Sequence, residues 1–244
     1  MTQATGDTTT SRRPRRVAAH LVSCLRSAPL TFLWLAVLLA TTIAQHLMSP
    51  ADLDRVLGAR STNLEHLTHD PIHVLWTSLF WIDGAFWLPW AVAFCIFHVP
   101  AERWLGSWRW LLVGASAHII ATFVSQGVLG LAIHEGVRSA DMIHVQDVGV
   151  SYFFAGVVGV LTYRIARPWR WIYLAGVFIY YAVPVITDLS FTNIGHLSAA
   201  LIGLAWYPIT RGRGEAWDPV ASARRWRERW RLRHSDSVEP AAPQ

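Results

Sequence analysis

Ser151 and His196 are the side chains of this sequence best suited to joint chemistry. Ser151 stands in Asp147-Val148-Gly149-Val150-Ser151-Tyr152, and His196 in Asn193-Ile194-Gly195-His196-Leu197-Ser198. A serine hydroxyl is a weak nucleophile until a base takes its proton, and a neutral imidazole within hydrogen-bond reach is a suitable base. Each residue also has a structural reading. Serine favours helix N-caps, so Ser151 can simply start a helix. His196 can be a buried hydrogen-bonding residue that fixes helix packing, although an ionisable group inside a membrane segment is a functional candidate by default.

Both residues sit near the start of an apolar, charge-free stretch. Six such stretches lie between Arg26 and Asp52, Asp83 and Glu102, Arg109 and Glu135, Asp147 and Arg164, Arg170 and Asp188, and Asp188 and Arg211. Roughly 20 apolar residues cross a bilayer, with a range of about 17–25. The fourth and fifth stretches, 148–163 and 171–187, sit at or just below the lower limit and rely on flanking arginines that reach the interface. With 53% hydrophobic residues and 14 tryptophans, the composition is that of a polytopic membrane protein with aromatic belts. The expected fold class is an all-α membrane protein, a bundle of six transmembrane helices. Residues 1–25 are expected to be a disordered cytoplasmic segment, 26–210 the membrane domain, and 211–244 a basic cytoplasmic tail.

All 21 basic residues are arginine, an association with GC-rich bacterial genomes. With the N-terminus inside, 18 of them fall on the cytoplasmic side, and only Arg55, Arg60 and Arg138 fall outside. This is the positive-inside pattern, so both termini are expected in the cytoplasm and the chain in the inner (plasma) membrane. The first apolar run follows Arg12, Arg13, Arg15 and Arg16 like a signal peptide, but it is long and lacks a clear small-x-small cleavage site. It is read as an uncleaved first helix. The net charge of +5 follows the membrane sidedness of the arginines, so nucleic acid is not an expected partner.

The topology puts Ser151 and His196 near the outer ends of spans four and six, at similar depth. Two long outer loops surround them. The first, 49–83, ends in the apolar run Val74 to Ile82, expected as one helix lying in the interface. The loop histidines His66, His69, His73, His134 and His144 lack the spacing of a ligand set, and Pro71 separates the one pair four apart, so no metal is expected. His118 is expected to pack or line the interior of span three, and Glu102 to pair with Arg103 or Arg109. In the tail, Arg224, Arg225, Arg227, Arg229, Arg231 and Arg233 interleave with Trp226 and Trp230, which share a helix face. A basic amphipathic helix on anionic lipid is one reading, and a solvated helical tail is the other.

The spacing of small residues around the two candidates resembles that of the rhomboid family of intramembrane serine proteases. That family carries Gly-x-Ser-Gly at the start of its fourth core helix, with further glycines five and eight residues after the serine. Gly149, Ser151, Gly156 and Gly159 match. Its sixth helix has a histidine followed by small residues two, three and seven positions later, matched by His196, Ser198, Ala199 and Gly203. A Glu-x-x-x-Gly turn ending the second helix is matched by Glu102 and Gly106, and Trp76-Thr77-Ser78-Leu79-Phe80 resembles the segment before that helix. Small residues at these positions let helix backbones approach closely. The similarity covers roughly residues 60–210.

The resemblance implies a Ser151–His196 dyad that cleaves transmembrane protein substrates without metal or organic cofactor. Supporting positions are Gly149, Tyr152, Trp87, Asn193 and Asp147. The chain departs from the pattern in two places. Tyr152 stands where the family keeps a glycine beside the serine. The family's oxyanion-binding histidine and asparagine fall on Trp87 and Ala91; an indole N–H can donate a hydrogen bond, whereas alanine cannot. Losing one oxyanion donor costs about 10²–10³ in rate in a well-studied protease. The alternative is a non-catalytic rhomboid-like protein that binds transmembrane clients without cutting them.

Overall fold

The computed structural model describes residues 22–235. The expected disordered segment 1–25 therefore lies outside the described residues as far as residue 21, and residues 22–27 are helical. The described chain is helical almost throughout. Among the described residues there is no strand beyond a single bridge between Ile165 and Trp217.

Helix α1 spans Pro29–Leu47 and opens on a proline, whose fixed φ suits the first helical turn. Its first amides have no intrahelical partner, and the Glu102 carboxylate fills that need. Glu102 accepts from Leu30 N at 3.0 Å, Thr31 N at 2.8 Å and Ser107 Oγ at 2.6 Å. The expected pairing of Glu102 with Arg103 or Arg109 is thus replaced by a buried carboxyl group at a helix N-terminus, where backbone amides and the helix dipole supply the positive end.

The loop after α1 folds into three short helices, α2 (Pro50–Gly58), α3 (Leu64–His69) and α4 (Pro71–Thr77). Each starts at a side-chain cap: Ser49, Asn63 and Asp70 accept from the amides of Asp52, His66 and His73. The run Val74 to Ile82 is not the single interfacial helix expected. α4 ends at Thr77, a 3₁₀ turn covers Ser78–Phe80, and the extended Trp81 and Ile82 turn into the bundle. Trp34 Nε1 holds Leu79 O at 2.9 Å, and Gln45 Nε2 holds Ile82 O at 3.1 Å. These two bonds, from deep in α1, satisfy the carbonyls that the break exposes.

Helix α5 follows over Trp87–Leu105, bent 115° from the preceding segment and containing a π-helical turn at Phe94–His98. Gly106, at φ 83°, ends it in a conformation that suits glycine. The next helices are α6 (Ser107–His134), α7 (Val150–Leu161), α8 (Trp169–Thr187) and α9 (Phe191–Ala205). Short α10 (Tyr207–Thr210) and basic α11 (Pro219–Ser235) complete the described chain. By length and composition α1, α6 and α8 are each long and apolar enough to cross a membrane, the bent α4–α5 pair passes the same test only when taken together, as a broken span or a re-entrant loop, and α7 and α9 are shorter apolar helices.

Helices α6, α7 and α9 form the packing centre, and glycine makes it possible. A β-carbon on Gly156 would strike Ala117, one on Gly159 would strike the Ala200 backbone, and one on Gly203 would strike the Gly156 backbone. The expected contact of spans four and six is therefore present, and the small residues that the spacing singled out are the ones that touch. On the other side of α7, Trp34 meets Phe94, Trp110 and Phe153 edge to face, and these rings surround His98. His98 is fully buried, stacks on Phe94 at 4.1 Å, and leaves both ring nitrogens without a partner.

Candidate functional site

The loop leading into α7 is tied on every side. Asp147 O accepts from Thr62 N at 2.9 Å and Thr62 Oγ1 at 3.0 Å, and Asp147 N donates to Ser61 Oγ at 2.7 Å. Gly149 N donates to Ser78 O at 3.2 Å. A β-carbon on Gly149 would strike the His118 ring and come within 2.8 Å of Ser78 Oγ, so only glycine lets the entry turn lie this close to α6. His118 is itself held by Leu75 O at 2.9 Å. These bonds join the loop after α2, the end of α4 and the middle of α6 to the start of α7.

Ser151 follows as the second residue of α7. Gly149 is the N-cap and no side chain caps the helix, so Ser151 is not the capping serine that the structural reading expected. His196 lies between one and two turns into α9, whose cap is Ser190 accepting from Asn193 N at 3.1 Å. Ser151, His196 and Asn193 all line one cavity of about 640 Å³, walled by Trp90 of α5, Phe154 of α7 and Tyr181 of α8. The fold thus brings the two candidate residues to one space, as matched depth predicts. Among the described residues no hydrogen bond joins them, and neither side chain makes one elsewhere.

Tyr152 points the other way. It is fully buried, with its hydroxyl 3.0 Å from Ser125 Oγ of α6 and 3.4 Å from Asp147 Oδ2. Its ring meets His196 edge to face at 5.1 Å between centroids. Gly195 makes room for it, since a β-carbon there would lie 2.6 Å from the phenol. Asp147 Oδ2 also accepts from Gln126 Nε2 at 3.1 Å. Burial pushes the Asp147 carboxyl up to about 6, while the hydrogen bonds from Gln126, Tyr152 and Thr62 act in the opposite direction. Asp147 does not line the cavity. It holds Tyr152, and Tyr152 backs His196.

Three expected supports are placed differently from their sequence reading. The Trp87 indole N–H donates to Leu35 O at 3.0 Å, so Trp87 ties α5 to α1 and does not line the cavity. The Tyr152 hydroxyl is spent on Ser125 and Asp147. The Gly149 N–H is spent on Ser78. Asn193 does reach the cavity, but its amide nitrogen donates to Pro184 O at 3.3 Å and Asp188 O at 2.9 Å. Ser61, Thr62, Ser125 and Gln126, none of them a candidate from the sequence, carry the network behind His196. The pair Ser125-Gln126 inside an apolar stretch was the available signal, because polar groups at membrane depth need partners.

Neither a curated protein nor a solved structure matches the chain. One family model, described as rhomboid-like protein, does match, and it covers residues 23–216, from just before α1 through α10. With that match over most of its length, and with the paired glycines of α7 and α9 in contact, the chain belongs to the rhomboid-like protein family.

Proposed function

We propose that this rhomboid-like membrane protein holds a transmembrane segment of a client protein at the Ser151–His196 cavity without cleaving it. One observation carries the reading. Each expected support that carries a side-chain donor is already engaged: Asn193 with Pro184 O and Asp188 O, Tyr152 with Ser125 and Asp147, and Trp87 with Leu35 O. Peptide cleavage develops an oxyanion, and an unsatisfied charge in an apolar site is very costly. The cavity walls from α5 and α8 are apolar and aromatic, which suits a client helix better than a charged intermediate.

The second reading is an intramembrane serine endopeptidase, favoured by Ser151 and His196 lining the same cavity. In that chemistry Ser151 Oγ attacks the peptide carbonyl, His196 takes its proton, and the imidazolium returns the proton to the leaving amine. The experiment that separates them uses purified protein in liposomes with a transmembrane peptide and a fluorophosphonate probe. Binding with no cleavage and no labelling at Ser151 supports the first reading. Cleavage that both Ser151→Ala and His196→Ala abolish establishes the second.

The same proposal includes six crossings of the inner membrane with both termini in the cytoplasm. The six apolar helices coinciding with the six charge-poor stretches support it, as does the arginine asymmetry. An impermeant thiol reagent should label a cysteine placed at 140 and spare one at 215; the reverse pattern rejects this orientation. The tail helix α11 is proposed to rest on anionic lipid, supported by its arginines and by the exposure of Trp226 and Trp230.

A further inference from the structure

A second cavity, of about 630 Å³, opens at the opposite, arginine-rich end of the same helices. Its apolar wall is Phe97 of α5, Leu161 and Ile165 at the end of α7, and Tyr173 of α8; its charged rim is Arg103 and Arg164. Trp104 and Trp217 flank that rim. The site is built by chain that returns from α10. Trp217 N donates to Arg164 O at 2.7 Å, Ala166 N donates to Trp217 O at 2.9 Å, and Trp104 Nε1 donates to Arg213 O at 2.6 Å.

Among the described residues the two arginines have no acidic counterpart. Arg103 makes no hydrogen bond or ion pair with a described residue. Arg164 gives one Nη to the backbone carbonyl of Glu215, which leaves Nε and the other Nη for a ligand. Among the described residues no Asp or Glu lines this cavity. The neighbouring one, which shares Trp104, adds Arg170, Arg211 and Arg213 and also lacks an acid. Paired guanidinium groups match phosphate oxygens bidentately. Tryptophans beside a basic rim belong at the depth of lipid headgroups.

The apolar wall does not end at this cavity. A further cavity of about 460 Å³ shares Phe97 and Tyr173 with it and continues past Val158 and Val177 to Ala93, Phe154 and Tyr181. Those last three residues also border the Ser151 cavity. One apolar gap therefore runs between α5 and α8 from the arginines to the candidate site.

We infer that Arg103 and Arg164 hold the phosphate of an anionic phospholipid whose acyl chain lies along Phe97, Leu161 and Tyr173 in the α5–α8 gap. A free phosphate would use the rim and leave the apolar wall empty, so the continuous wall selects the lipid. A lipid seated there fills the middle of the gap that a client helix would enter, and its removal is a means of regulating access. The site rests on membrane insertion and on these two arginines, and it stands whether or not Ser151 is a nucleophile.

The test reconstitutes the full chain in nanodiscs of mixed phosphatidylglycerol and phosphatidylcholine and counts co-purifying lipids by native mass spectrometry. One phosphatidylglycerol per chain, retained in preference to phosphatidylcholine, is expected. Arg103→Gln should cut that retention about tenfold or more, the cost of one charge-assisted contact. Arg103 bonds no described residue, so its substitution spares the fold. Arg164→Gln should act similarly and is read beside its thermal midpoint, because it also frees the Glu215 segment. Ile96→Trp, which fills the apolar wall, should lower lipid retention too. Arg231→Gln in α11 should leave it unchanged. Equal retention of the two lipids, or loss with Arg231→Gln and none with Arg103→Gln, overturns the proposal. So does full displacement by inorganic phosphate together with indifference to Ile96→Trp, which would make this a phosphate site.

Discussion

Helices α7 and α8 face each other across the Ser151 cavity, and they are held in opposite ways. Every residue of α7 from Ala155 to Leu161 is buried, and so are Val150, Tyr152 and Phe153. On α8 only Val177 and Tyr181 are buried, and 11% of its apolar window is covered against 39% for α6. α7 is gripped by α6 and α9 through glycine contacts and by hydrogen bonds at its entry. α8 rests mainly on α9 and leaves Ile179, Tyr180, Val183 and Ile186 exposed. One wall of the cavity is thus part of the core and the other is peripheral. Local opening costs least where few apolar contacts and few buried bonds must break, so the α8 wall is the one that can move to admit a ligand. Ser151 sits on the fixed wall, and His196 sits on α9, which contacts both.

The largest expected effect tests the fixed wall directly. Gly203→Val drives a branched side chain into the Gly156 backbone, which cannot retreat because Ala117 backs Gly156. Overpacking of this kind should cost at least about 3 kcal/mol or prevent folding. The matched change on the peripheral wall is Gly176→Ala in α8, where a β-carbon meets nothing within 4 Å. It should stabilise slightly, by roughly 0.5 kcal/mol, through helix propensity. Unfolding in detergent micelles measures both. Equal losses at Gly203 and Gly176 would erase the distinction between the walls.

Asp147 gives the next largest effect, and its sign is unusual for a carboxylate. Burial raises it from 3.8 to about 6, so the folded protein holds a proton that the unfolded chain has released. Its destabilising contribution is fully present above about pH 6, shrinks as pH falls, and is gone below 3.8. The shift corresponds to up to ~3 kcal/mol. The protein should therefore gain stability through this group between pH 7 and pH 4. Asp147→Asn should flatten that gain and stabilise the fold at pH 8 by ~1–3 kcal/mol. Parallel pH profiles for native and variant chains would contradict it.

Much of the fixed wall was legible in the sequence. The charge-poor stretches overlap the apolar helices, three of which are long enough to cross a membrane alone, because charge is what hydrocarbon excludes most strongly. Gly156, Gly159 and Gly203 announced the α7–α9 contact, because small residues at fixed spacing serve close backbone approach. The misread parts depend on which distant groups meet. Glu102 has arginines beside it in sequence, but its partners are the amides of Leu30 and Thr31, and only the fold brings the start of α1 to it. Trp87 occupies an oxyanion position by alignment, yet its long indole reaches Leu35 O on α1. Val74 to Ile82 has the composition of one helix, but Trp34 and Gln45 capture its carbonyls and stabilise the break. His98 gave no signal at all, since an unpaired buried imidazole among aromatic rings follows no local pattern.

Tyr152→Phe probes how the fixed wall supports His196. The substitution keeps the ring against His196 and removes the hydroxyl bonds to Ser125 and Asp147. A cost of ~1 kcal/mol is expected, typical of one buried hydrogen bond. The Tyr152 hydroxyl also holds the Asp147 carboxyl down, so its loss should move the Asp147 transition to still higher pH. A stability loss with no change in that transition would mean that Tyr152 and Asp147 are not coupled.

The smallest expected effect in stability is the most local test of the loose wall. Asn193, in the first turn of α9, donates to Pro184 O and Asp188 O and so pins the C-terminal end of α8. Pro184 has no amide hydrogen and removes one bond from the helix at the same place. The α8 terminus thus depends on a side chain from its neighbour. Asn193→Ala should cost less than about 1 kcal/mol overall, because these bonds are partly exposed and water can replace them. Hydrogen exchange should respond far more selectively. Deuterium uptake should rise over residues 179–188 and stay unchanged over 150–161, since no bond made by Asn193 reaches α7. Equal uptake in both segments would show that the two walls open as one unit. An increase confined to α8 would locate the moving element of the cavity at the C-terminal end of that helix, next to His196.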